Sequence, residues 1–226
     1  MRQLLLLDLD GTVVDSMGLI IRCFREAVLP CTTKSPSNEE IAATFGPAEE
    51  ECIERLLLQH QSQGLLREPY TPAMKQDAAA RFHKLYADGY EHGLVECYPG
   101  MCELVQRVRT AGWATAIFTG KGRGSAIATL KHVNLLTSFD AVVTSDDVVH
   151  PKPAADGVLR ACELTGVAPA QTIYAGDNPT DIIAGKRAGT KTAAAMWGAV
   201  YPKETLATQP DYVLHSVGEL ESLLFR

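Results

Sequence analysis

No run of basic residues occurs in the 226 residues, and 21 Lys and Arg stand against 27 Asp and Glu, a net charge of −6. Binding to nucleic acid through its phosphates needs the opposite balance, so that partner is disfavoured. No apolar stretch approaches the roughly 18 residues that cross a bilayer, so no membrane partner is expected. The run Leu4–Leu7 is too short for a secretory leader, and acids follow it at once. None of the six cysteines forms a C-x-x-C pair, and no cysteine–histidine cluster has zinc spacing. They read as reduced, mostly buried thiols of a cytoplasmic protein. Low-complexity segments and internal repeats are absent too. With 46% hydrophobic residues, the chain can fill one good core and a second small module.

What is present begins at the fourth residue. Leu4-Leu5-Leu6-Leu7 reads as a strand buried on both faces, and Asp8-Leu9-Asp10-Gly11-Thr12 follows directly. Asp15-Ser16 then suits a helix start, with Leu19, Ile20, Cys23, Phe24, Ala27 and Val28 at helical spacing. From Ser35 to about Gly93 the chain reads as helical, broken at Phe45-Gly46-Pro47, with further helices over Glu49–Gln59 and Ala73–Tyr90. Ser37-x-x-Glu40 is a capping-box pattern. Beyond Tyr98-Pro99-Gly100 the pattern changes. Apolar runs at 114–118, 139–143, 172–175 and 191–195 alternate with helical stretches at 101–111, 125–133, 155–165 and 181–188. That alternation predicts an α/β fold, a doubly wound Rossmann-like parallel sheet to which the first strand also belongs. Residues 1–14 and 96–226 then form the core. Residues 15–95 form an all-helical domain inserted after the first strand.

Ligands of such sheets bind beyond the carboxyl ends of the strands. Four of those ends carry chemistry: Asp8 and Asp10; Thr119-Gly120-Lys121; His150-Pro151-Lys152-Pro153; and Gly176-Asp177-Asn178-Pro179-Thr180-Asp181. Acids gathered in one cleft repel each other unless a cation lies among them. A divalent metal with a phosphate suits these parts. Each residue also has a structural reading. Thr119 suits a helix N-cap, Lys152 a loop lysine, and Asp181 an acid at a helix N-terminus. Gly120-x-Gly122-x-Gly124 lacks dinucleotide spacing, and Gly185-Lys186-Arg187 lacks the hydroxyl and upstream glycine of a P-loop.

The order of these motifs resembles the haloacid dehalogenase-like superfamily of phosphohydrolases. The resemblance covers essentially the whole chain, a helical cap after the first motif included. It implies that Asp8 attacks phosphorus to form an aspartyl-phosphate, and that Asp10 protonates the leaving oxygen and then activates water. It implies Mg²⁺ held by Asp8, the Asp10 carbonyl and Asp177, with Asp181 acting through bound water. Thr119, the Gly120 amide and Lys152 would hold the phosphate oxygens. Gly120 stands where the family usually has asparagine, which removes a side-chain contact.

Dehalogenases of this shape lack a carboxylate at the position of Asp10, so a phosphate substrate is expected. Sugar-phosphate mutases carry a histidine where Ile20 stands. Phosphonoacetaldehyde hydrolases need a cap lysine that Ser16–Pro30 does not contain. The expected substrate is a small phosphorylated metabolite, as in phosphoglycolate phosphatases. Inorganic pyrophosphatase, or a sugar-phosphate phosphatase or mutase, is the alternative. A catalytically silent phosphate-binding or interaction protein is the remote one. The stretch from Val142 to Pro153 looks like the pyrophosphatase branch. Arg22, Lys75, Arg81 and the turn at Phe45 and Gly46 are the cap groups expected to meet the substrate. The cap is expected to close as a unit, and the protein to be a monomer or homodimer.

Overall fold

The computed structural model describes residues 2–225. In chain order its elements are β1 (Leu4–Leu7), β2 (Val14–Asp15), α1 (Met17–Val28), α2 (Asn38–Ala42), α3 (Glu49–Ser62), α4 (Pro72–Glu91), β3 (Glu96–Cys97), α5 (Met101–Thr110), β4 (Ala114–Phe118), α6 (Arg123–His132), β5 (Ala141–Val143), α7 (Asp156–Thr165), β6 (Thr172–Gly176), α8 (Pro179–Ala188), β7 (Lys191–Ala195), α9 (Pro202–Ala207), β8 (Tyr212–Leu214) and α10 (Val217–Leu224). They form two compact units. One runs through Asp15 and resumes at Glu96; the other is Ser16–Val95.

The first unit is built on a six-stranded sheet in the order β5-β4-β1-β6-β7-β8. All of its ladders are parallel. Leu4 to Leu7 are fully buried, as a central strand covered on both faces must be. Leu4 and Leu6 share a cluster with Ala116, Phe118, Val143, Val158, Ala161 and Tyr174. Each such leucine contributes about 1.5–3 kcal/mol by leaving water. Helix α7 packs on β1, β4 and β5, and α8 on β6 and β7. From β1 the chain builds outward through β4 and β5, then returns to add β6 on the other side. The order therefore reverses at β1, where sheets of this kind open a crevice.

The register lines up the strand ends. Leu7 pairs with Ile117 on one side and Ala175 on the other. The ladder runs one residue past β1, because the Asp8 amide donates to the Ala175 carbonyl at 2.9 Å. The Thr119 amide likewise donates to the Val143 carbonyl at 3.0 Å. Two site residues thus have their backbones fixed by the sheet itself.

The second unit is helical. Helix α1 packs on α4; the Phe24 ring meets those of Phe45 and Phe82 at a tilt, and Phe82 stacks on Tyr86. Ser37 and Glu40 form the expected capping box, with bonds of 2.7 and 3.1 Å. No strand forms among the described residues of this unit, although Thr32 and Leu66 make an isolated bridge. Helices α3 and α4 cover the stretches Glu49–Gln59 and Ala73–Tyr90 that read as helical. Besides the break at Phe45-Gly46-Pro47, the chain leaves helix from Gln63 to Thr71. Gly64 there takes a positive φ of 70°, and Pro72 starts the next helix. The chain after Ala195 adds β8, α9 and α10, for which the apolar runs give no signal.

Candidate active site

Asp8 lies at the base of the crevice, and its side chain accepts a hydrogen bond from Lys152 Nζ at 2.7 Å. The same ammonium donates to Asp181 Oδ1 at 2.6 Å. The Lys152 ammonium also lies 4.8 Å from the Phe118 ring centre and 5.7 Å from that of Tyr174. Two carboxylates and two aromatic faces therefore surround one buried cation. The Tyr174 hydroxyl donates to Asp181 Oδ1 at 2.7 Å. The other oxygen of Asp181 accepts from the Asn178 amide at 3.0 Å. Asp181 is thus both an acid in the first turn of α8 and a partner of the site lysine. The first is the structural reading of this residue; the link to Lys152 is one the motifs do not predict.

Asp177 is buried beside them. Its Oδ1 accepts from the Thr12 hydroxyl at 3.0 Å. The turn that brings Thr12 there needs glycine at position 11. Gly11 has φ +81°, and a Cβ on it would lie 2.6 Å from Asp177 Oδ2. The loop after β7 braces this turn from behind. Trp197 Nε1 donates to the Thr12 carbonyl at 3.0 Å. A Cβ on Gly198 would sit 1.8 Å from the Gly11 carbonyl oxygen, so only glycine lets the loop come so close.

At the end of β4 the Thr119 hydroxyl accepts from the Lys121 amide at 3.2 Å. Its own hydrogen is then free to point elsewhere. The helix cap falls at Gly122, not at Thr119, because the chain takes three more residues to turn into α6. Lys121 is buried, and its ammonium lies 3.3 Å from both carboxylate oxygens of Asp10.

Burial pushes the Asp8 carboxyl up to about 7; Lys152 opposes the rise, and Asp181 adds to it. Asp177 is driven well above the usual carboxylate range by burial, then by Asp8 and Asp181. Burial also penalises the Lys152 charge, yet the two acids outweigh that and hold the ammonium above its ordinary range. Asp8, Asp177 and Asp181 each offer an oxygen, and these oxygens lie within 4.8 Å of one another. Four carboxylates face two ammonium groups, Lys121 and Lys152. Ionised together, these buried acids repel one another, and a divalent ion among them would relieve that. The donors are all oxygen, so the set fits a hard cation.

The structure brings Asp8, Asp177, Asp181 and Lys152 together, with Asp10, Thr119 and Gly120 at the adjoining strand ends. Arg22, Phe45 and Gly46 belong to the helical unit. Arg22 there is exposed and 3.7 Å from Glu26. Phe45 packs on Phe24. Lys75 pairs with Glu54 at 2.8 Å, and Arg81 donates to the Ala27 carbonyl at 2.9 Å. The cap cations expected for the substrate thus have partners within their own unit. Tyr174 and Trp197 carry parts of the site that the motifs do not single out, and Lys121 stands at a marked strand end to which the motifs give it no role.

The sequence profile of the haloacid dehalogenase-like hydrolases matches residues 5–195, a span holding every acid and both lysines of the site. The chain belongs to that family. It is a hydrolase of the phosphatase kind. Among its relatives is pyrophosphatase PpaX of Bacillus mycoides, 31% identical over 221 residues, covering 98% of this chain and 96% of the relative. The PpaX of Bacillus velezensis is 31% identical over 216 residues, covering 96% and 93%. The fold matches that of a predicted phosphoglycolate phosphatase from Haemophilus somnus, with TM-score 0.87, 19% identity, and 99% and 98% of the two chains covered. It also matches CbbY from Rhodobacter sphaeroides, solved in complex with phosphate, with TM-score 0.82, 21% identity, and 97% and 96% covered. No helix among the described residues of this hydrolase is long and apolar enough to cross a membrane.

Proposed function

We propose that this haloacid dehalogenase-like hydrolase is a Mg²⁺-dependent phosphohydrolase of small phosphorylated metabolites, acting through an aspartyl-phosphate on Asp8. The observation that carries the reading is the Asp8–Lys152 pair at 2.7 Å, set beside Asp177 at the end of a buried central strand. Lys152 binds one oxygen of Asp8, which orients the other toward phosphorus. The Thr119 hydroxyl and the Gly120 amide accompany Lys152 in holding the phosphoryl oxygens as charge spreads over them. Asp10 delivers a proton to the leaving oxygen as the phosphorus–oxygen bond breaks. It then takes a proton from the water that attacks the phosphoryl group and frees Asp8. Asp8 and Asp177, with the Asp10 carbonyl, would hold Mg²⁺, which neutralises phosphate charge and steadies the transferred group. Asp181, with its oxygens engaged by Lys152, Tyr174 and the Asn178 amide, acts by holding Lys152 in place.

Pyrophosphate is the first substrate to try, because relatives about as long as this chain carry the name pyrophosphatase. Phosphoglycolate is the second, on the likeness in fold. The test is phosphate release from a panel of small phosphates, with and without Mg²⁺. Release that requires Mg²⁺ and vanishes in Asp8→Asn supports the reading; release untouched by that substitution overturns it.

A further inference from the structure

Two side chains beyond β7 reach Asp177, and the mechanism above uses neither. Trp197 Nε1 donates to the Thr12 carbonyl at 3.0 Å, and the Thr12 hydroxyl donates to Asp177 Oδ1 at 3.0 Å. The Thr205 hydroxyl shares its hydrogen between the Asp177 carbonyl at 3.1 Å and the Tyr201 carbonyl at 2.8 Å. One arm thus ends on the Asp177 carboxylate and the other on its backbone. Thr12 and Thr205 are fully buried. Both arms start from a fixed base. The Met196 amide donates to the Leu214 carbonyl of β8 at 2.8 Å, and the Thr205 amide donates to the Tyr201 carbonyl at 2.9 Å. The Tyr98 ring meets that of Trp197 edge-on at 6.4 Å. The matched family profile ends at residue 195, so both arms lie beyond what it describes.

Asp177 has a physical need for such support. It is buried beside Asp8 and Asp181, and like charges push the three apart. A carboxylate free to turn would swing away from its neighbours, and a seat for a cation would be lost. The Thr12 hydroxyl fixes one of its oxygens. That bond is only as firm as the turn carrying Thr12, and the turn contains Gly11 at φ +81°, a residue that resists bending little. The indole holds the turn through the Thr12 carbonyl. The Thr205 hydroxyl holds the main chain at the end of β6, from which the Asp177 side chain starts. Groups that orient a metal's ligands typically change its affinity by about ten- to hundredfold.

We infer that Trp197 and Thr205 are positioning residues that preset Asp177 as a ligand of the divalent ion, so that the chain after β7 serves the active site as well as the scaffold. The inference rests on the reading of Asp177 as a Mg²⁺ ligand. Each residue acts through Asp177, one by way of Thr12 and its carboxylate, the other by way of its backbone. Their loss therefore weakens the hold on the ion and leaves the chemistry of the loaded enzyme in place.

The test measures the Mg²⁺ Kd of the substrate-free enzyme from its melting temperature across a Mg²⁺ titration. Trp197→Phe keeps a ring and removes the donor; Thr205→Val keeps the shape and removes the hydroxyl. Each should raise Kd by about tenfold or more. Thr205→Ser, which retains the hydroxyl, should bind Mg²⁺ nearly as the wild type does. With p-nitrophenyl phosphate, both loss variants should need more Mg²⁺ and recover most of kcat once it is saturating. A lower melting temperature without Mg²⁺ but an unchanged Kd would mean that the two residues only support the fold, and would overturn the inference alone. An unchanged Kd in Asp177→Asn as well would overturn the reading of Asp177 beneath it. Should the loss variants fail to fold, the wild-type enzyme still decides. The indole N–H proton of Trp197, told from that of Trp113 by Trp113→Phe, must shift in the NMR spectrum as Mg²⁺ binds, with the same Kd. A signal that stays in place through saturation refutes the link.

Discussion

Asp8 and Asp10 are two positions apart, and each has its own lysine: Lys152 for the first and Lys121 for the second. That separation predicts separate phenotypes. Asp8→Asn keeps the shape and removes the proposed nucleophile, so kcat should fall by at least about a thousandfold. A thermal melt close to wild type would show that the fold is kept. Asp10→Asn should lose more on ethyl phosphate than on p-nitrophenyl phosphate, whose leaving group needs less proton transfer. Equal losses in the two assays would remove Asp10 from the acid role. Gly11→Ala would put a methyl group against Asp177 in a strained backbone region, at a cost of about 1–3 kcal/mol. Its melting temperature should drop, and its Mg²⁺ requirement should rise together with that drop. The acids, Thr119 and Lys152 were legible because chemically loaded residues at the ends of apolar runs stand out locally. Lys121 stood at a marked strand end without a role, and Trp197 was not marked at all. Their partners Asp10 and Thr12 are 111 and 185 positions away, and a lysine or tryptophan in a loop has many ordinary uses.

The elements that could be read were those whose burial leaves a local trace. Strands β4 and β7 coincide with their apolar runs because four or five successive positions face the core. Strand β8 has three residues, one of them exposed, and no run to show for it. The ends of α8 follow from its capping chemistry. Asn178 Oδ1 accepts from the Thr180 amide at 3.1 Å, and Asp181 reaches back to the Asn178 amide. Asn178→Ala should therefore cost about 1 kcal/mol in a denaturant titration. Helix α3 hides a different consequence. His60 is fully buried, and neither ring nitrogen has a hydrogen-bond partner among the described residues. Burial holds its pKa below the ordinary 6.5. The unfolded chain then binds the proton more readily than the folded one, so stability is complete above pH 6.5 and falls as the pH drops below it. The slope can reach about 1.4 kcal/mol per pH unit. His60→Leu should flatten that loss between pH 7 and pH 5, measured as the urea midpoint of both proteins. Parallel curves for the two would show that His60 carries none of it.

At the scale of the molecule, the sheet holds several acids closer together than their charges favour. The Asp8 pKa of about 7 lies above its unfolded value of 3.8. The folded state therefore binds the proton more tightly, and this contribution to stability is complete below about pH 4 and lost as the pH rises through 7. A divalent ion replaces the proton, so Mg²⁺ should raise the melting temperature more at pH 8 than at pH 5.5. Saturation at a hundred times Kd corresponds to about 2.7 kcal/mol. Asp177→Asn should lose most of that rise, and an unchanged Mg²⁺ effect would take Asp177 out of the ion's shell. The parallel order of the strands has a consequence in time as well. Leu4 pairs with Ala114 and Thr172, which are 110 and 168 residues further on. At roughly 5–20 residues per second, the ribosome makes β1 some ten to thirty seconds before its second neighbour. The helical unit, continuous from Ser16 to Val95, waits for nothing of the kind. Asp8 is thus among the first residues synthesised and among the last to gain a fixed place. Until then four bare leucines travel ahead of it, and a nascent chain stopped before Thr172 should present them to chaperones and proteases.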